Sequence, residues 1–229
     1  MQKIDGGAEG QVHMQAVWII GGGRFGRRAA ETLRRTPAGA DILIVEKKPL
    51  RCRKIDSMGL RTLCADGIDF LAAHLQSPAQ RVWIVAAAPV HVAYEWVRAR
   101  ASASLRIAPL PMPAEVARLL PNAMPGGDGQ LFASNADFIC PPDCAETGRV
   151  CTLTGRRRPR NMHGFIRRID AAGVKIIVVR SFQLAPGVGG LRPRDLFEAL
   201  RQIESAPSAV VLATACRCHA VLNSFKIIS

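Results

Sequence analysis

Apolar and polar positions alternate along the first half of the chain in blocks that predict strands and helices in turn. The predicted strands are apolar runs of a few residues, at 16–20, 41–46, 60–66, 81–88 and 105–110. The predicted helices carry apolar residues on one face, at 24–35, 68–75 and 90–101. Strands that alternate with helices of this length indicate right-handed crossovers between parallel strands. We therefore predict an α/β fold with a doubly wound, mainly parallel Rossmann-like sheet, closed by the strand at 105–110.

The pattern changes near residue 113, where Pro, Gly, Asn and Asp interrupt the apolar periodicity. Residues 113–160 contain a short amphipathic segment at 114–120 and an irregular stretch rich in cysteine. Beyond it, the pattern predicts helices at 162–171 and 196–203 and buried strands at 174–180 and 209–214. We expect three parts: a disordered tail at 1–15, a Rossmann domain at 16–112, and a smaller α/β domain with an irregular Cys-rich loop at 113–229.

A glycine-rich turn, GGGRFG at 21–26, stands between the first predicted strand and the first predicted helix. In a dinucleotide site such a turn places the pyrophosphate at the N-terminus of the helix. Gly21 allows the tight turn, Gly23 lets the backbone approach the pyrophosphate, and Gly26 allows the helix to pack closely on the strand. Arg24 and Phe25 belong to the same motif and are candidate cofactor contacts. The alternative interpretation is a glycine turn that binds no ligand.

An acidic residue ends the second predicted strand, as a dinucleotide site requires. Glu46 follows Gly26 by twenty residues, the spacing at which an acidic side chain accepts hydrogen bonds from the adenosine ribose. Its charge would repel a 2′-phosphate, so we predict NAD(H) as the cofactor. Lys47, Lys48 and Arg51 follow closely and would soften this preference.

With these motifs, residues 16–112 resemble the TrkA-N type of NAD-binding domain, found in potassium-uptake regulators and related regulatory proteins. The resemblance rests on GGGRFG, on Glu46, on the ADG turn at 65–67 and on VAAAPVHVAYEW after the fourth predicted strand. It implies that Asp66 lies near the adenine and that the backbone around Ala87 lies against the cofactor. It also implies a homodimer. The second half of the chain resembles no family that we can name.

Cysteines supply a second candidate site, in the second half of the chain. Cys52 and Cys64 have no near partner in the sequence and are more typical of small apolar residues. The five others form two groups, and we predict them as metal ligands: Cys140, Cys144, Cys151, Cys216 and Cys218. Four such ligands would form a tetrahedral site and order the irregular loop. An iron–sulfur cluster is the favoured content, with zinc and unliganded thiols as alternatives, and His219 is an alternative ligand to Cys216 or Cys218.

Composition and charge narrow the class of protein. The chain is 48% hydrophobic and carries a net charge of +13, from 31 Lys and Arg against 18 Asp and Glu. We find no apolar run long enough to cross a membrane and no secretory signal, so we expect a reducing, cytoplasmic compartment. An acidic protein or an electron-transfer partner would suit the positive charge. Only 5% of residues are aromatic, so nucleic acid is not the expected partner, even with the basic run GRRRPR at 155–160.

Three function classes remain open. The first is a redox protein that couples NAD(H) to a cysteine-ligated metal centre. The second is a non-enzymatic module that senses NAD(H) and holds structural zinc, and the third is a basic adaptor with a vestigial nucleotide fold. No catalytic residues are assigned by spacing. The glycine-rich segment at 185–195 is either an anion-binding or mobile loop or a plain connection.

Overall fold

The computed structural model describes residues 16–36, 39–101, 105–146, 148–206 and 209–228. The predicted tail at 1–15 lies outside the described residues. The strands are β1 (Ala16–Ile20), β2 (Asp41–Glu46), β3 (Thr62–Cys64), β4 (Trp83–Ala86), β5 (Arg106–Pro109), β6 (Met124–Pro125), β7 (Gln130–Ser134), β8 (Val174–Arg180), β9 (Phe182–Ala185), β10 (Val188–Gly190), β11 (Ala209–Ala215) and β12 (His219–Ile228). The helices are α1 (Arg24–Arg34), α2 (Pro49–Asp56), α3 (Gly67–His74), α4 (Val92–Arg100), α5 (Ala114–Leu119), α6 (Met162–Ile166) and α7 (Pro193–Glu204).

The first half forms a parallel sheet in the order β3-β2-β1-β4. β1 pairs in parallel with β2 and with β4, so the strand that precedes the glycine turn lies in the middle of the sheet. Ala29, Ala30 and Leu33 form the buried face of α1, next to Gly26. These features confirm the predicted α/β class and place the N-terminus of α1 at the carboxyl end of the sheet.

The second half forms a mixed sheet built around β12. The path of this sheet is β6-β7-β12-β11-β8, and β5 also pairs with β12. β11 pairs in parallel with β8 and antiparallel with β12. The sequence analysis placed the strand at 105–110 at the close of the first sheet, and this was wrong, because β5 pairs antiparallel with the end of β12. The domain boundary near residue 113 stays a prediction.

The glycine-rich segment after β8 is a hairpin rather than a plain connecting loop. β9 and β10 pair antiparallel, with Gly187 at the turn in a left-handed conformation (φ 71°). Leu191, just after β10, exchanges two backbone hydrogen bonds with Ile84 of β4, at 3.0 and 2.8 Å. The hairpin is a separate two-stranded sheet that an isolated bridge joins to the β4 edge of the first sheet, although its sequence belongs to the second half.

The largest apolar core joins the two halves. Val45, Ile84 and Trp96 from the first half share this core with Val179 and Leu212 from the second. Within the described part of the chain, no helix combines the length and the apolar character needed to cross a membrane.

Candidate functional site

The glycine turn has the geometry that a dinucleotide-binding turn requires. Gly21 has φ 103°, and a Cβ there would lie 2.9 Å from the carbonyl oxygen of Ala87. A Cβ at Gly26 would lie 1.8 Å from the carbonyl oxygen of Gly21. At Gly23, by contrast, a Cβ would meet no described atom within 4 Å. The two outer glycines are thus required by the fold, whereas Gly23 faces open space at the N-terminus of α1, where a phosphate would bind.

Glu46 is buried at the end of β2 and holds the turn in place. Its side chain is only 5% exposed. One carboxylate oxygen, Oε2, accepts a hydrogen bond from the amide of Gly22 at 2.9 Å, and Oε1 accepts one from the amide of Lys48 at 2.9 Å. The guanidinium of Arg51 lies 3.7 Å from Oε2. Glu46 therefore fixes the glycine turn, a role that the sequence analysis did not assign to it, and its contact with the ribose stays a prediction.

The other predicted cofactor contacts differ in their surroundings and in whether they line a cavity beside the glycine turn. Asp66 caps α3, because its Oδ1 accepts hydrogen bonds from the amides of Ile68 and Asp69 at 2.8 and 3.3 Å. The backbone of Ala87 lies directly against Gly21, and its predicted contact with the cofactor stays a prediction. Phe25 is 68% exposed and lines a cavity beside the turn, whereas Arg24 is exposed and does not line it.

That cavity, of about 460 Å³, connects the cofactor turn with the cysteines; we call it the shared cavity. On one side it is lined by Ala86 and Ala87, at the carboxyl end of β4, and by Phe25. On the other side it is lined by four of the five predicted metal ligands: Cys140, Cys144, Cys216 and Cys218. Cys151 is not among its lining residues, although it is near enough to Cys140 to interact electrostatically with it.

The Cys-rich loop is held by the hairpin β9–β10. The amide of Gly187 donates to the carbonyl oxygen of Cys144 at 2.9 Å, and the side chain of Gln183 donates to the same oxygen at 2.7 Å. Gln183 also accepts a hydrogen bond from the amide of Glu146 at 2.7 Å. A Cβ at Gly187 would lie 1.9 Å from the carbonyl oxygen of Pro142. Protein contacts thus account for part of the order that the sequence analysis attributed to a metal.

The second cysteine pair lies in the tight turn between β11 and β12. The amides of Cys218 and His219 both donate to the sulfur of Cys216, at 3.3 Å. His219 also lies near Cys140, with 3.6 Å between Nε2 and the sulfur. Arg158 donates to the sulfur of Cys218 at 2.8 Å. Two distant parts of the chain therefore meet at this turn.

Burial raises the pKa of three of the cysteines that line the shared cavity. Desolvation raises the pKa of Cys216 to about 12, and the nearby charge of Glu146 adds to the rise. Desolvation also raises the pKa of Cys140 and of Cys218, in the second case against the opposing effect of Arg158. Burial likewise raises the pKa of Glu146, although the hydrogen bond from the Arg217 amide counteracts it. Among the described residues, no three His, Cys, Asp or Glu side chains are arranged to hold a metal ion.

A buried polar network adjoins the shared cavity and had no signal in the sequence. Both ring nitrogens of His91 are hydrogen-bonded at 2.8 Å, Nδ1 to Oδ1 of Asn223 and Nε2 to the hydroxyl of Thr214. His91 and Thr214 line the cavity, and burial lowers the pKa of His91 to about 4. The partners of His91 on β11 and β12 are more than 120 residues away in the sequence, so spacing could not assign it a role.

Comparison with known proteins agrees with this geometry. Residues 17–100 match the family model of the TrkA-N domain, which confirms the resemblance and indicates an NAD(H)-binding module in the first half. Residues 93–228 match the AF_1314_C family model, described as "Uncharacterized protein, C-terminal domain". Because this match covers more than half of the chain, the protein belongs to that family.

One relative matches the chain over almost its whole length. It is an "Uncharacterized protein" of Archaeoglobus fulgidus, 29% identical over 227 residues, which cover 91% of this chain and 98% of the relative. The similarity therefore includes both halves in the same order. No solved structure matches the chain significantly.

Proposed function

We propose that this protein is an NAD(H)-binding redox protein, and that Cys140, Cys144, Cys216 and Cys218 bind a metal centre opposite the dinucleotide. The observation that carries the proposal is the shared cavity, which is lined by the end of β4 on one side and by these four cysteines on the other. A dinucleotide on the glycine turn would direct its nicotinamide toward this space. We place the protein in the cytoplasm, where thiols stay reduced.

The donor set suits a soft metal centre. Thiolates favour iron–sulfur clusters and zinc, and four cysteines are enough for either. Arg158, which donates to Cys218, would help to balance the negative charge of a cluster held by four thiolates. His219, whose Nε2 lies 3.6 Å from the sulfur of Cys140, is an alternative ligand to Cys216 or Cys218.

Metal binding requires the cysteine side chains to lose protons and to change their orientation. Cys140, Cys216 and Cys218 must lose protons whose removal is opposed by burial, and a bound cation would supply the compensating charge. The sulfurs must also turn toward a common point, because the described positions form no such arrangement. This chain's own contribution is to bring the four cysteines to one cavity, to orient the dinucleotide and to exclude water from the space between them.

The second candidate function is NAD(H) sensing with structural zinc. The TrkA-N match favours it, because the resemblance is to domains of regulatory proteins. In that case the cysteines would stabilise the contact between the Cys-rich loop and the β11–β12 turn. They would have no redox role.

The decisive experiment is metal and sulfide analysis of protein purified without oxygen, together with its visible absorption spectrum and a titration with NADH. We expect iron and sulfide in equal amounts, roughly four of each for a cubane cluster, and a visible band that bleaches when NADH is added. A colourless protein with one bound zinc would overturn the redox function in favour of NAD(H) sensing. Absence of any metal would overturn the metal centre.

Two cysteine variants make the assignment specific. Cys144→Ser removes a thiol that lines the shared cavity, and we expect it to lose most of the metal while it keeps NADH binding. Cys64→Ser is the matched control, because Cys64 is exposed and does not line that cavity. Equal metal content in the two variants would remove Cys144 from the ligand set.

A further inference from the structure

A second cavity, of about 640 Å³, lies beside the Cys-rich region and is lined mainly by arginine. Five arginines line it, with Gly148, Pro159 and Asn161 as the other lining residues: Arg149, Arg157, Arg158, Arg160 and Arg217. No acidic residue is among them. We call this the arginine cavity, and it includes residues 157–160 of the basic run at 155–160.

Local backbone pairing brings these arginines together. The amide of Arg158 donates to the carbonyl oxygen of Arg149 at 2.7 Å, and Val150 and Arg157 form an antiparallel bridge. The guanidinium of Arg158 donates to the carbonyl oxygen of Gly148 at 2.9 Å, and that of Arg217 donates to the same oxygen at 3.3 Å. A single carbonyl therefore gathers two guanidinium groups from distant parts of the chain.

Arg160 is held on the same cavity by other contacts. Its guanidinium lies 4.3 Å above the ring of Phe165 and donates to the carbonyl oxygen of Leu119 at 3.4 Å. Side chains that are already positioned lose less conformational entropy when a ligand binds. The arginine cavity is thus partly preorganised.

The positive charge of the five arginines that line the cavity favours an anionic ligand. Glu146 interacts electrostatically with Arg158 and Arg217, and it lies outside the lining. Like charges gathered this closely repel one another. A ligand with several negative charges would relieve that repulsion, and guanidinium groups bind phosphate oxygens in pairs.

We propose that the arginine cavity binds a compact polyanion of the diphosphate or triphosphate class. Its volume lies within the usual range of small-molecule sites, about 300–1,000 Å³. A single-stranded nucleic acid would need aromatic side chains on which bases stack. None lines this cavity, and the ring of Phe165 is covered by Arg160. The proposal does not depend on NAD(H) binding or on a metal centre.

The test is calorimetric titration with inorganic tripolyphosphate at physiological ionic strength. The full-length double variant Arg149→Ala/Arg157→Ala removes two guanidinium groups from the cavity, and we expect affinity to fall by at least about tenfold. The matched control is Arg81→Ala/Arg106→Ala, which removes two exposed arginines that line none of the cavities described here. We expect the control to bind nearly as tightly as the wild-type protein.

The outcomes separate a specific site from general charge attraction. Equal losses in the two double variants, or no binding by the wild type, would overturn the proposal. A single-stranded RNA that displaces tripolyphosphate and binds far more tightly would also overturn it, in favour of nucleic acid. Circular dichroism of each variant checks that it is folded, and the milder Arg157→Gln variant, expected to weaken tripolyphosphate binding less, serves if the double variant loses the wild-type spectrum.

Discussion

Glu46 is the residue at which the fold and the cofactor turn are most directly linked. Both oxygens of its buried carboxylate accept backbone hydrogen bonds, from Gly22 and Lys48. The thiol of Cys52 also donates to its carbonyl oxygen, at 3.0 Å. A residue of this kind stabilises the empty turn before any cofactor binds.

We therefore expect Glu46→Gln to destabilise the protein without ligand. The amide NH₂ of glutamine would face one of the two backbone N–H groups and leave it unsatisfied, which costs about 1–3 kcal/mol when buried. Urea denaturation measures the loss in the free energy of unfolding. Glu115→Gln, at an exposed position in α5, is the control. Equal stability of the two variants would contradict a structural role for Glu46.

A substitution at Gly23 should affect cofactor binding rather than stability, because a Cβ there meets no described atom within 4 Å. Gly23→Leu should keep the thermal stability of the wild type and weaken NADH binding by at least about tenfold, since the side chain would occupy the space of the pyrophosphate. Gly127→Leu, where a Cβ also meets no described atom within 4 Å, is the control. Fluorescence titration with NADH measures both affinities. Unchanged affinity in Gly23→Leu would place the dinucleotide elsewhere.

His91 should make stability depend on pH. Burial lowers its pKa from 6.5 to about 4, so below pH 6.5 the unfolded state takes up a proton that the folded state does not. The contribution of His91 to the free energy of unfolding is therefore complete above pH 6.5. It is lost as the pH decreases toward 4, by on the order of 3 kcal/mol. Burial lowers the pKa of His163 to about 4 as well, so part of the slope belongs to that residue.

Urea denaturation between pH 7 and pH 4.5 tests this expectation. His91→Gln should reduce the pH slope, since glutamine does not titrate. Identical slopes in the wild type and His91→Gln would show that His91 takes up its proton in the folded state as easily as in the unfolded one.

At the scale of elements, the contact between the β9–β10 hairpin and the Cys-rich loop determines how accessible the cysteines are. Gly187→Ala would bring a Cβ within 1.9 Å of the carbonyl oxygen of Pro142 and push the loop away. We expect Cys140 and Cys144 to be alkylated about tenfold faster, because local opening exposes them. Mass spectrometry after iodoacetamide treatment measures the rate at each cysteine.

The control for that variant shares its backbone strain but lacks the clash. Gly155 has φ 66°, close to the 71° of Gly187, and a Cβ there meets no described atom within 4 Å. Gly155→Ala should therefore leave alkylation near the wild-type rate. Equal acceleration in both variants would attribute the effect to backbone strain alone.

Elements with strong local patterns could be predicted from the sequence, and elements defined by distant partners could not. β1 is an unbroken apolar run, β2 and β8 each contain four consecutive apolar residues, and α1 follows a glycine turn. α2 has only two buried residues, Cys52 and Ile55, so it shows little apolar periodicity. β12 includes buried Asn223 and Ser224, which interrupt its apolar pattern. The site divides in the same way: the glycine turn is local, whereas His91 and Thr214 meet only through the fold.

At the scale of the whole molecule, the shared core should make the two halves unfold together. Trp96 of α4 contacts Phe197 of α7, with 5.2 Å between ring centroids, and Leu212 of β11 belongs to the same core as Ile84 of β4. The first half would expose much of this core if the second half unfolded alone. All three tryptophans, Trp18, Trp83 and Trp96, lie in the first half and report on it by fluorescence.

We therefore expect tryptophan fluorescence and far-ultraviolet circular dichroism to show one coincident unfolding transition. Leu212→Ala lies in the second half and should cost about 2–5 kcal/mol, yet it should shift the fluorescence transition as much as the circular dichroism transition. NADH, which binds the first half, should raise both midpoints equally, because a ligand of the folded state stabilises the whole cooperative unit. Two separate transitions, with Leu212→Ala moving only the one without tryptophan signal, would instead make the TrkA-N half an independent domain whose cofactor binding is not coupled to the cysteine site.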